Sequence, residues 1–170
     1  MGWFDFLTGS KAAAPGVTPV PVDQLRSGLL ALNRDTAPWV VRDGAPEGCD
    51  LVAEWRIVDA KWYEVFAKAG LSKTSQTLLK FDTTANEVRS ADRDWSVSWR
   101  AGVPGLSLSV AGFRGQTNEV SFGKAYAFTE SGGYGQVYNY RFVSKEMKDP
   151  LQDLAAASGW GWRGVAFGKL

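Results

Sequence analysis

Asp94-Trp95-Ser96-Val97-Ser98-Trp99-Arg100 alternates large apolar residues with serines. A period of two places Trp95, Val97 and Trp99 on one face of a β-strand and Ser96 and Ser98 on the other. Burying side chains of this size contributes roughly 1.5–3 kcal/mol each. That face is therefore expected to anchor a core. The segments on both sides carry the same signal.

Towards the carboxyl end, Ala101-Gly102-Val103-Pro104-Gly105 reads as a turn. Apolar residues then alternate at Leu106, Leu108 and Val110, and again at Tyr138, Tyr140 and Phe142. Val120, Phe122, Tyr126 and Phe128 share a face. Towards the amino end, Thr77–Asp82 and Glu87–Ala91 flank the turn Thr83-Thr84-Ala85-Asn86. Leu51, Ala53, Trp55 and Ile57 alternate with Val52, Glu54, Arg56 and Val58. Trp39–Arg42 is a shorter strand, placed to pair with that segment as a hairpin across a loop at residues 43–48.

Three stretches change period. Val22, Leu25, Leu29 and Leu32 predict a helix that Asn33 stops. Trp62, Val65, Phe66 and Ala69 predict another between an Asp59 cap and Gly70. Asp149-Pro150-Leu151-Gln152 opens a third, with Asp as N-cap and Pro at its first position, running to Ser158. Residues 160–170 predict a final strand or an extended tail.

The expected fold is α+β: a curved antiparallel meander of about seven or eight strands, open to barrel-like closure, with two to three short helices. The order of these elements resembles that of START-like helix-grip domains and pleckstrin-homology-like domains, without a shared motif. The domain is expected at 22–170. Residues 1–21 are expected to be an apolar peptide followed by an extended linker with Pro15, Pro19 and Pro21.

Composition narrows the chemistry. With 45% hydrophobic and 22% charged residues the chain is globular rather than disordered. A net charge of +1 argues against a nucleic-acid surface. There is no histidine and one cysteine, Cys49, so histidine-based triads and zinc or iron–sulfur sites are not expected. No cofactor, metal or catalytic residue is assigned. A lone cysteine and an amino terminus without a signal-peptide pattern lead to an expectation of the cytoplasm, with peripheral attachment to a membrane as a variant.

Functional residues are sought in four places. The aromatic strand faces holding Trp55, Trp99, Tyr126, Tyr138 and Tyr140 are candidates to line a site for a small apolar ligand or lipid. Trp3, Phe4, Phe6 and Leu7 form a short apolar peptide that must dock on its own domain, a protein partner or a membrane surface. Trp160 and Trp162, each flanked by glycine, are candidates to present indoles to a partner. Asp92, Asp94 and Glu54 are the carboxylates a histidine-free enzyme would use. The leading expectation is a non-enzymatic binding module tethered through its amino-terminal peptide.

Overall fold

The computed structural model describes residues 10–35, 37, 39–56, 73–100, 103–108, 120–122, 126–128, 134–136, 141–165 and 170. In chain order the elements are helix α1 (Val22–Leu30), β1 (Trp39–Asp43), β2 (Leu51–Trp55), β3 (Lys73–Asp82), β4 (Glu87–Arg100) and β5 (Val103–Leu108). They are followed by β6 (Val120–Phe122), β7 (Tyr126–Phe128), β8 (Tyr134–Gln136), β9 (Arg141–Val143), helix α2 (Ser144–Ala157) and β10 (Gly161–Gly164). The expected helix at 59–70 lies outside the described residues.

The class is α+β, as expected, and the main sheet has six strands. Strands β1 to β5 form an antiparallel meander, each pairing with the next. β6 pairs with β9 and β7 with β8 as separate two-stranded ladders. Two expectations need correction. The sheet is mixed, because β10 joins β4 in parallel, with Trp162 opposite Val88. It is also not closed among the described residues: β1 lies at one end and β10 and β5 at the other, so barrel-like closure is not supported.

The tryptophan stretch is the second half of β4, a single fourteen-residue strand. Asp92-Arg93-Asp94 lies inside that strand, paired with Thr77, Gln76 and Ser75, and makes no turn. One edge of β4 carries β3. Its other edge carries β10 along residues 87–90 and β5 along residues 95–100. Pro104, read from sequence as part of a turn, sits in β5 opposite Trp99.

Register defines two faces. Trp39, Val41, Leu51, Ala53, Trp55, Leu79, Val88 and Trp162 share one, and pack with Leu25 and Leu29 of α1 and Met147, Leu151 and Ala155 of α2. Trp160 joins this core and meets Phe81 edge to face at 6.3 Å. On the opposite face Val52, Leu78 and Ala91 are also fully buried.

α2 starts six residues earlier than the capping pattern predicts, so Pro150 is interior to it. An interior proline removes one helical N–H donor and crowds the carbonyl four residues before it. Met147 and Lys148 are both buried, and their tertiary contacts outweigh the local start signal at Asp149-Pro150. The β1 edge is closed by a side chain: Asn33 Nδ2 donates to the Val41 carbonyl at 2.7 Å, and Val41 N–H donates to Asn33 Oδ1 at 2.7 Å. The amide imitates a neighbouring strand and so protects that edge from foreign pairing.

Gly48 and Gly159 have nearly equal positive φ, 74° and 78°, but different surroundings. A Cβ on Gly48 would meet nothing within 4 Å, whereas one on Gly159 would lie 2.7 Å from the Pro19 nitrogen. Gly48→Ala is expected to cost only the left-handed penalty of about 1–2 kcal/mol. Gly159→Ala should cost clearly more in urea denaturation, because backbone must also move; equal costs would contradict the contact with Pro19.

Candidate functional site

Three polar arrangements stand out. The first is buried under α2. Thr77 and Asp92 are directly paired across β3 and β4, and Thr77 Oγ1 donates to Asp92 Oδ1 at 2.8 Å. The Lys148 ammonium of α2 reaches down to Asp92 Oδ2, where the two side chains are 8% and 0% exposed. Both oxygens of Asp92 are therefore engaged, one from the neighbouring strand and one from the helix. A carboxylate held in this way fixes α2 on the sheet. Ser75 and Ser90 extend the same polar stripe on this face and are also buried.

The second arrangement crosses the opposite face. Arg42 of β1 donates to Glu54 of β2 through Nε at 2.8 Å, and to Glu47 through both terminal nitrogens at 2.9 and 2.5 Å. Gln76 of β3 donates to Glu54 Oε2 at 2.5 Å, and the Trp95 indole N–H of β4 donates to Gln76 Oε1 at 2.7 Å. The Arg93 guanidinium lies over the Trp95 ring, 5.9 Å from its centroid. Trp95 is therefore a half-buried member of a polar chain spanning four strands, and not the core anchor expected from its alternation; Val97 of the same strand is buried in the core. The hydrogen bonds to Glu47, then those to Glu54, raise the Arg42 pKa above its ordinary value. The same bond to Arg42 holds the Glu47 carboxyl below its ordinary value, and the nearby charge of Arg93 also lowers it.

The third arrangement is a strap over residues 10–21. Lys11 and Trp162 exchange backbone hydrogen bonds of 2.8 and 2.7 Å along the outer edge of β10. Ala14 N–H donates to the Ala156 carbonyl at 3.0 Å, and Val20 N–H to the Ser158 carbonyl at 3.0 Å. The Trp160 indole N–H donates to the Val20 carbonyl at 2.9 Å. The Lys11 ammonium pairs with Asp153 of α2. The proline-rich segment turns at Pro15-Gly16 and is fastened to the carboxyl-terminal elements on both sides of that turn.

The candidate residues fall as follows. Trp55 is a buried core residue beside Trp39. Trp99 and Tyr126 lie in β4 and β7, with their side chains outside the described set, as are Tyr138 and Tyr140. Trp3, Phe4, Phe6 and Leu7 also lie outside the described residues. Trp160 and Trp162 are each 2% exposed, so their indoles fill the core and have no surface to present to a partner. Of the three carboxylates, Asp92 is committed to Thr77 and Lys148, and Glu54 to Arg42 and Gln76; the Asp94 side chain is not described. Sequence reasoning passed over Lys148 and Thr77. A lysine in a helix ordinarily reads as a solvated residue, and the short α2 expected from sequence left Lys148 outside it.

Compared with known proteins, the chain matches no protein-family model, no curated protein and no solved structure. Among the described residues, no helix is long and apolar enough to cross a membrane.

The Glu47–Arg42 pair has a testable pH signature. A carboxyl whose folded pKa is depressed adds stability that is fully present above its unfolded pKa, about 4.3, and lost as pH falls through the folded value. Glu47→Gln is expected to lower the urea midpoint at neutral pH. Its difference from the parent should close as pH drops below about 4. A difference independent of pH would contradict the pairing.

Proposed function

We propose that this protein is a non-enzymatic binding module that engages a membrane surface or a larger protein assembly through its amino-terminal peptide. The observation that supports this reading is the strap. Residues 11–20 are held to α2 and the segment that follows it by backbone hydrogen bonds, so the chain that follows the peptide Trp3-Phe4-Asp5-Phe6-Leu7 is fixed on the domain from Lys11 onward. Anchoring an apolar peptide at a defined position lowers the entropy lost when it docks. Trp, Phe and Leu are the residue types that insert at membrane interfaces and into interface pockets. Asp92 and Glu54 are engaged in fold-holding contacts, which leaves recognition rather than acid–base chemistry as the better-supported role. The setting proposed is the cytoplasm, with the module held at a surface.

The strap also defines the right truncation. Deleting residues 1–9 removes the apolar peptide and leaves every strap hydrogen bond in place. That variant is expected to lose sedimentation with vesicles, or co-purification with its assembly, while keeping the parent's urea midpoint. Deleting residues 1–14 should in addition cost roughly 2–4 kcal/mol, because the Lys11–Trp162 and Ala14–Ala156 bonds go with it. Parent-like partitioning of the 1–9 deletion would overturn the proposal.

A further inference from the structure

The register of the sheet places three cations in one row. Lys80 of β3 is directly opposite Arg89 of β4, and Arg89 is directly opposite Arg163 of β10. Paired residues point to the same face, so all three side chains arise on the face opposite the helices, on strands about 4.8 Å apart. Like charges directly opposite one another destabilise a sheet. Lys80 is exposed, the Arg163 side chain is 57% exposed, and Arg89 between them is half-buried. The Arg89 Nε is buried without a hydrogen-bond partner among the described residues.

The acidic neighbours on this face are in the next row, where Asp82 is opposite Glu87. Asp82 Oδ1 accepts the Thr84 and Ala85 backbone N–H groups at 3.0 and 3.1 Å, which commits it to the β3–β4 turn. Glu87, with its side chain 19% exposed, pairs at 3.2 Å with Arg163, whose side chain keeps 57% of its surface open to solvent. Arg93, on the same face further along β4, adds a fourth positive charge.

We propose that Lys80, Arg89 and Arg163 form a binding row for a phosphoryl oxyanion. Two guanidinium groups supply the planar forks that match phosphate oxygens, and Lys80 adds a third donor from the flank. The row ends beside the first described residues of the strap. Lys11 pairs with Trp162 on the outer edge of β10, which sets residue 10 next to Arg163. A cationic row together with an apolar peptide is the combination of two signals that retains a protein at an anionic lipid surface. The choice of a lipid headgroup over free phosphate rests on the peptide reading above; the oxyanion site itself does not.

The experiment uses the full chain and the variant Lys80→Gln/Arg163→Gln, both exposed positions, with urea denaturation as the folding control. Each protein is titrated with inorganic phosphate by calorimetry. Each is also sedimented with vesicles of phosphatidylcholine alone and of phosphatidylcholine mixed with phosphatidic acid. The parent is expected to prefer the phosphatidic acid vesicles, and the variant to lose about fivefold in that binding per charge removed. If the parent also binds inorganic phosphate and the variant does not, the site takes the free ion as well. If inorganic phosphate does not bind, the headgroup is the source. Parent-like binding of the variant to both probes would overturn the row. The deletion of residues 1–9 reports on the peptide separately, because the phosphate titration does not involve it.

Discussion

The Lys148–Asp92 contact joins helix α2 to the main sheet. Asp92 sits near the middle of β4, and its carboxylate has no solvent exposure. Removing a charge from water is costly, and the cost is offset only when partners surround it. Lys148 from above and Thr77 from the adjacent strand supply those partners. A one-residue shift in the β3–β4 register would turn Asp92 away from both. A rotation of α2 would do the same to Lys148. The pair thus selects one register and one helix orientation, and apolar contacts from Met147, Leu151 and Ala155 then complete the packing.

What hangs from α2 follows from that placement. Its carboxyl end carries Ala156 and Ser158, whose carbonyls receive the strap, and the chain turns at Gly159 into β10. β10 can then run parallel to the first half of β4, leaving the second half to β5. The same β10 carries Trp162 inward to the core and Arg163 outward to the opposite face. One short strand therefore contributes to the core, to the strap and to the cationic row.

Much of the sheet could be read from periodicity. Alternation located β1 to β5, and the spacing of Leu25 and Leu29 located α1, because a period of two or of 3.6 directly reflects which face is buried. Other features depended on distant partners. The parallel pairing of β10 with β4 joins segments some seventy residues apart and leaves no local pattern. The early start of α2 overrides the Asp149-Pro150 start signal because Met147 and Lys148 have buried positions to fill. Trp160 and Trp162, set among glycines, look like exposed recognition residues until the sheet shows them covered. Trp95 erred the other way: Val97 on the same face is buried in the core, but the Trp95 indole joins the Arg42–Glu54–Gln76 chain. The partners that register brings beside it, and not its alternation, decided its role. The cationic row was invisible for the same reason, since Lys80, Arg89 and Arg163 come together only through pairing.

A double-mutant cycle on Lys148 and Asp92, read by urea denaturation, tests this account most directly. Lys148→Met and Asp92→Asn are each expected to destabilise by about 3–5 kcal/mol, since each leaves the other partner buried and uncompensated. The double variant should lose far less than the sum, giving a coupling energy of a few kcal/mol. Single losses below about 1 kcal/mol, or additive ones, would contradict the claim that this pair holds helix and sheet together.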